Sequence, residues 1–406
     1  MQTRLADFIR DTPAGIEAEA ILRQCVHCGF CAATCPTYGL LSDELDSPRG
    51  RIYQIKHLLE GDPATAHTQL HLDRCLTCQA CETTCPSGVR YSRLLDIGRS
   101  VIEQRQPRPL RQRLIRKTLA HVLPVNELMA PAIGLGQRLK PLLPDAIARQ
   151  VPDVQPQRPW PEPRHPRRVI GLTGCIQAIA TPNTNHALAT VLDRCGISLI
   201  ASPAAGCCGA IEHHLNESQA ALDRMRRNID AWWPLIDAGA EALLVSASGC
   251  GVAVKDYGHR LSHDPDYADK AEAIAKLTRD PIELLETLPL AALPIHGGGQ
   301  RIAFHAPCTL QHGQQLPGRI EALLTRLGFE LTNVPEAHLC CGSAGTYALL
   351  QADLSQRLLN NKLTALESDA PTCIATANIG CQLHLATAAG VPVIHWLEVL
   401  AQALDA

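Results

Sequence analysis

The apolar positions of this 406-residue chain change their period part-way along. In the first 125 residues they recur at three- and four-residue intervals. This is seen in GIEAEAILRQ ahead of Cys25, in IYQIKHLLEG from Ile52, and in LRQRLIRKTLAHVL, where Leu110, Leu114, Ile115, Leu119 and Val122 keep helical spacing. After Arg168 short β-prone runs alternate with helical segments. VIGLTGC is followed by NHALATVLDRCG and ISLIA; from Arg301, IAFHAPC is followed by IEALLTRLG and FELTNV. The pattern predicts an α+β multidomain chain, helix-rich at first and α/β afterwards. No window supplies the roughly 18 apolar residues of a membrane-spanning helix.

Two features mark the change of period. From Gln104 to Asn126 there is no acid, while Arg105, Arg108, Arg111, Arg113, Arg116 and Lys117 concentrate positive charge. Prolines then recur at 141, 144, 152, 156, 159, 161, 163 and 166. Proline fixes its own backbone torsion and restricts its predecessor, so a semi-extended connector is expected. The predicted division is a helical domain over 1–103, a basic and proline-rich connector over 104–166, and α/β lobes over 167–298 and 299–406. The basic helix reads as an interdomain helix with a solvated charged face, or as a docking element for a partner or an anionic membrane surface.

Composition adds little until the cysteines are counted. The chain is 46% apolar and 19% charged with a formal net charge of -3, which gives no electrostatic case for nucleic-acid binding. The opening MQTRLADFIRD carries early charges and does not read as a secretory signal. A reducing cytoplasm is expected, with peripheral attachment to the cytoplasmic face of a membrane left open. Eighteen cysteines in that setting point to metal ligation over disulfides.

Eight of them form two blocks. CVHCGFCAATCP contains Cys25, Cys28, Cys31 and Cys35; CLTCQACETTCP contains Cys75, Cys78, Cys81 and Cys85. Both match C-x2-C-x2-C-x3-C-P, the run of two-cluster ferredoxins, including Pro36 and Pro86. Three thiolates three residues apart wrap one face of a 4Fe-4S cubane, and the fourth is carried to the other cluster. The expected sets are Cys25, Cys28, Cys31 and Cys85, and Cys75, Cys78, Cys81 and Cys35. Zinc also accepts four thiolates, but the doubled spacing with paired prolines favours iron-sulfur. Nearby, SPRGRIY brings Arg49 and Arg51, which read as ion-pairing residues or as groups that tune a cluster or meet a partner.

The second half repeats. Cys175 and Cys308 are 133 positions apart, as are Cys207 and Cys340; Cys250 and Cys381 are 131 apart. AGCCGA and LCCGSAGTY hold the vicinal pairs Cys207–Cys208 and Cys340–Cys341. Each cysteine lies near the carboxyl end of a predicted strand, where open α/β sheets form crevices. Cys175, Cys207, Cys208 and Cys250 in one lobe, and Cys308, Cys340, Cys341 and Cys381 in the other, are candidates for an additional metal site, for buried structural roles or for thiol redox chemistry. Cys195 and Cys373 lack counterparts and read as core residues, as do Trp232 and Trp233. His213, His214, His305, His312 and His384 are candidates for a base or a mixed-ligand site, but HExxH, a nucleophile elbow and a glycine-rich nucleotide loop are all missing.

The chain resembles the iron-sulfur subunits of bacterial glycolate oxidases along nearly its whole length. The resemblance runs through CVHCGFCAATCPTY, LDSPRGRIY, LDRCLTCQACETTCPSGVRY, AGCCGA, ASGCG, HAPCTLQH, LCCGSAGTY and ANIGCQ. It implies a noncatalytic electron relay carrying two 4Fe-4S clusters, with room for a further cluster in the CCG cysteine-rich domains. Glycolate would be oxidised to glyoxylate on an FAD-containing partner, a second flavoprotein-like subunit would join the complex, and quinone would be the acceptor. Related subunits serving D-lactate or another 2-hydroxy acid, and thiol-disulfide chemistry at the CCG domains, are the alternatives. Many CCG domains end in C-x2-C, whereas Ala247 and Asn378 stand at the earlier positions here. That departure weakens the transfer of the noncubane cluster of heterodisulfide reductases.

Overall fold

A computed structural model describes residues 1–144, 148–295 and 297–405; the connector's residues 145–147 lie outside it. The chain divides into two compact units, one formed by Met1–Arg116 with His338–Lys362 and the other by Lys117–Ala337 with Leu363–Ala406.

The first unit is helical. Helix α1 (Pro13–Gln24) starts where Thr12 accepts the Gly15 amide and Pro13 supplies a preset first torsion. It is followed by the short turns α2 (Phe30–Ala33) and α3 (Pro36–Leu41), and then by α4 (Pro48–Glu60), capped by Ser47 and ended by Gly61 at φ 105°. Helices α5 (Ala66–Asp73), α6 (Ala80–Thr83) and α7 (Tyr91–Arg105) complete the sequence-local part. Ile21 and Leu22 of α1, Ile52, Ile55 and Leu59 of α4, and Leu94, Leu95 and Ile102 of α7 share one core. Helices α4 and α7 approach closely at Gly98, where a Cβ would stand 2.7 Å from Ile55 Cγ1. The segment His338–Lys362 belongs to this unit: Tyr347 donates to the Arg74 carbonyl at 3.2 Å and Arg357 to the Leu40 carbonyl at 2.8 Å.

The predicted basic helix forms as α8 (Leu110–Val122), followed by α9 (Asn126–Leu139). Residues 152–164 have no regular element, in keeping with their prolines.

The second unit contains two four-stranded parallel sheets. Strands β1 (Arg167–Gly171), β2 (Ile197–Ala201), β3 (Leu243–Leu244) and β4 (Thr278–Arg279) take the order β2-β1-β3-β4. Strands β5 (Arg301–His305), β6 (Glu330–Leu331), β7 (Cys373–Thr376) and β8 (Val393–His395) take the order β6-β5-β7-β8. The same topology twice is the structural form of the cysteine repeat. One core runs through both sheets, from Val169 and Leu192 to Ile320, Trp396 and Leu400. Trp232 is buried in a second cluster with Ile170, Met225 and Tyr257, against which Trp233 packs partly buried. Cys373 is buried within β7, and Cys195 packs half-buried against the shared core.

Candidate iron-sulfur sites

Each amino-terminal cysteine block is folded by the same backbone device. The second and fourth residues after the first cysteine have left-handed torsions: His27 (φ 58°) and Gly29 (φ 86°) in one block, Thr77 (φ 53°) and Gln79 (φ 61°) in the other. These reversals bend the chain so that three cysteines face one hollow. The turn that follows, α2 or α6, carries the third cysteine of its block, Cys31 or Cys81. The polypeptide then leaves with the fourth, Cys35 or Cys85, as the amino cap of α3 or ahead of Pro86.

Two cavities result. One is lined by Cys25, Cys28, Cys31 and Cys85, with His27, Arg49 and Tyr91. The other is lined by Cys35, Cys75, Cys78 and Cys81, with Thr37, Arg51 and Tyr91. Cys81 and Tyr91 border both. The fourth cysteine of each block therefore sits at the other block's cavity, as the spacing predicts.

The thiols feel one another accordingly. Burial pushes Cys31 up to about 11, with further upward contributions from Cys25, Cys85 and Cys28. Cys81 is raised by burial first, then by Cys78, Cys75, Glu82 and Cys35. Two buried polar atoms on the cavity walls have no nitrogen or oxygen partner, His27 Nε2 at the first cavity and the Tyr91 hydroxyl at both. Tyr91 stands beside the Cys75 thiol. Four soft donors and an otherwise unpartnered proton donor around each hollow fit a sulfur-rich cluster.

SPRGRIY divides its arginines. Arg49 is 36% exposed and pairs with Glu44 at 2.8 Å. Arg51 is 1% exposed, and its Nη2 reaches Asp46 Oδ1 at 3.0 Å and Thr37 Oγ1 at 3.1 Å, while Nε donates to the His71 carbonyl at 2.7 Å. Ion pairing accounts for both, but for Arg51 it takes place in the interior.

In the first α/β lobe, Cys175, Cys207, Cys208 and Cys250 converge. Cys207 accepts from the Cys175 and Cys208 thiols, which hold it well below its ordinary value against the opposing effect of burial; the Gly209 amide and Arg224 also favour its thiolate. Cys175 and Cys208 are correspondingly raised. Glu212, 2% exposed, pairs with Arg224 beside this group, and Tyr257 donates to the Cys208 carbonyl at 2.9 Å. His213 lies against Arg260, its ring nitrogens 2.7 Å from Nη1, and stacks at an angle on His214. In the second sheet, His305 at the end of β5 is 2.9 Å from Thr376 Oγ1. Cys308 precedes a single turn over Thr309–Gly313 that contains His312, and Cys381 and His384 lie on the helix Ile379–Ala386. Asn378 donates to Cys381 Sγ at 3.5 Å. Cys340 and Cys341 are buried in the first unit, where the Gly342 amide donates to Cys340 Sγ at 3.4 Å.

A helical domain that builds two four-thiol cavities from exchanged blocks, followed by paired cysteine-bearing α/β lobes, defines an iron-sulfur protein of the dicluster class. The 4Fe-4S dicluster domain family matches residues 21–89, and the cysteine-rich CCG domain family matches 169–255 and 302–386. The chain belongs to the glycolate oxidase iron-sulfur subunit family. It is 55% identical over 406 residues to the glycolate oxidase iron-sulfur subunit of Escherichia coli (strain K12), covering 100% of both chains. It is 30% identical over 400 residues to the probable glycolate oxidase iron-sulfur subunit of Bacillus subtilis (strain 168), covering 90% of this chain and 89% of that one. Lactate utilization protein A of Geobacillus thermodenitrificans is 25% identical over 240 residues, 56% of this chain and 95% of its own. A putative Asp/Glu racemase from Yersinia pestis superposes over 59% of this chain and 98% of its own, with 15% identity and a TM-score of 0.27, too remote to bear on the sites. Among the described residues no helix is long and apolar enough to cross a membrane.

Proposed function

We propose that this chain is the electron-transfer subunit of a glycolate oxidase complex, receiving electrons from an FAD-containing partner that oxidises glycolate to glyoxylate and passing them towards quinone. The observation that carries the reading is the pair of adjoining four-thiol cavities in a chain 55% identical, end to end, to a glycolate oxidase iron-sulfur subunit. In this reading Cys25, Cys28, Cys31 and Cys85 hold one 4Fe-4S cluster, and Cys35, Cys75, Cys78 and Cys81 hold the other. Bound there, the clusters supply one-electron carriage between a two-electron donor and an acceptor.

The protein's own part is positional. Complete thiolate sets leave no open coordination position for a substrate, so substrate chemistry falls to the partner. Cys81 and Tyr91, on the wall common to both cavities, keep the two sites adjacent. A second flavoprotein-like subunit and a place at the cytoplasmic face of the membrane complete the proposed assembly.

The test is iron, acid-labile sulfide and low-temperature EPR on anaerobically purified protein, with and without the FAD-containing subunit. About eight iron and eight sulfide per chain, reducible by glycolate only with the partner present, is the expected result. About twelve of each would add a cluster in the CCG domains. Zinc without sulfide, or disulfide reduction by the isolated chain as its sole redox activity, would overturn the relay.

A further inference from the structure

The two thiolate sets have different electrostatic surroundings. Beside the second, Asp46 is fully buried and meets two guanidinium groups, Arg51 Nη2 at 3.0 Å on Oδ1 and Arg74 Nη1 at 2.9 Å on Oδ2. His71 Nδ1 is 3.0 Å from the same carboxylate, so the balance is positive whatever the protonation of that ring. Burial opposes the charge on Arg51, but Cys75, Tyr91, Cys35 and Asp46 together hold its pKa above the ordinary value. Thr37 Oγ1, which accepts from Arg51, is 3.3 Å from Cys35 Sγ. Glu82, near Cys81, is the opposing acid; on the other flank Arg99 donates to the Cys75 carbonyl at 2.8 Å.

Around the first set the charges face water. Arg49 and Glu44 are 36% and 45% exposed and cancel as a pair. The Met1 ammonium donates to the Cys25 carbonyl at 2.8 Å from a partly exposed position. Amides of His27 and Arg49 favour the Cys25 and Cys31 thiolates, and at the second set the Thr77 amide donates to Cys75 Sγ at 3.5 Å. The buried guanidinium is therefore the main difference. A charge removed from water acts several-fold more strongly than a screened one, and net positive charge beside a cluster raises its potential.

We infer that Arg51, supported by Arg74 through Asp46, makes the Cys35–Cys75–Cys78–Cys81 site the higher-potential of the two, so that electrons enter at the Cys25–Cys28–Cys31–Cys85 site and collect at the second. The inference rests on the two-cluster reading above. Each step moves one electron, oxidising the first site and reducing the second. No bond forms or breaks, and Arg51 stays protonated. Arg51 is a positioning residue, acting through the field at the thiolates.

The test is an EPR-monitored redox titration of the full chain purified anaerobically with its clusters. Cys28→Ser and Cys78→Ser identify which signal belongs to which set. Wild type should show two midpoints, the higher one altered by Cys78→Ser. Arg51→Gln should lower that midpoint by the equivalent of about tenfold in electron partition, about 59 mV for one electron, and Arg51→Lys should restore most of it. Arg74→Gln, at a 26% exposed side chain, should shift it the same way by less and decides the matter if Arg51→Gln does not fold. Arg49→Gln should leave it in place. Assignment of the higher midpoint to the Cys28 set, or an unmoved midpoint in the folded Arg51 and Arg74 variants, overturns the inference. Protein without iron or sulfide overturns instead the reading on which it rests.

Discussion

The side-chain oxygen of Asn378 accepts the amide of Gly249 at 3.1 Å, so a residue following β7 in one sheet closes the turn following β3 in the other. The Ser248 amide donates to the Ala377 carbonyl at 3.0 Å alongside it, and the two corresponding loops of the repeat thus meet each other. Asn378 occupies the position at which a C-x2-C ending would place a cysteine, and its amide nitrogen still faces Cys381 Sγ. Asn378→Ala should cost about 1 kcal/mol for the lost half-buried hydrogen bond, read as a lower urea midpoint with an unchanged slope. A wild-type midpoint would show that the contact contributes nothing to lobe pairing.

Exchange of the fourth cysteines makes a distinctive prediction. Cys85→Ser should perturb the same EPR signal as Cys28→Ser, and Cys35→Ser the same signal as Cys78→Ser, although each pair draws on both blocks. If each block instead kept its own fourth ligand, the pairings would be reversed.

Asp280 sets a pH dependence outside the cluster domain. It is fully buried at the amino cap of the helix Pro281–Leu285, and burial pushes it up to about 7, against opposing effects from the Ile282 amide, Lys255 and Gln314. The folded chain therefore holds a proton that the unfolded chain, with a carboxyl near pH 4, has released. Stability from this group is fully present below about pH 4 and is lost as pH rises through about 7, by up to about 4 kcal/mol. Asp280→Asn keeps a capping side chain and should flatten that slope. Urea midpoints at pH 5 and pH 8 check it, and an equal pH loss in both proteins would discard the assignment.

Arg108 anchors the start of the basic segment. It reaches both Asp73 carboxylate oxygens at 2.5 and 2.9 Å and Glu103 at 2.6 Å with only 2% of its side chain exposed. Burial alone would raise Asp73, but Arg108, Arg116 and Arg99 hold it below its ordinary value. Arg108→Ala should cost about 3 kcal/mol, at the low end for a broken buried pair because Arg116 remains 3.1 Å from Asp73. Chemical denaturation measures it; a loss below about 1 kcal/mol would place the pair in the surface class.

Part of this was legible in the residues and part was not. Spacing alone grouped the eight cysteines that line the two cavities, because three-residue intervals can bring three side chains of one block to a common hollow. Helical period located α1, α4 and α8, and the repeat interval anticipated two sheets of one topology. The difference between Arg49 and Arg51 was not legible, since two arginines in SPRGRIY have the same chemistry until the fold buries one. Nor was Tyr91, whose only local mark is its position after the second block and whose role depends on lying against both cavities.

What the amino-acid sequence determined by itself is the metal chemistry and the ordering of modules, because both are written in short intervals and in hydrophobic period. The tertiary structure decided what depends on contacts between distant residues. It places His338–Lys362 in the amino-terminal unit, where Tyr347 meets the Arg74 carbonyl across 273 positions of chain, and it buries Arg51 and Asp46 beside one cavity while leaving the Arg49–Glu44 pair facing solvent beside the other. Burial and long-range charge are properties of the packed interior, and no local interval encodes them.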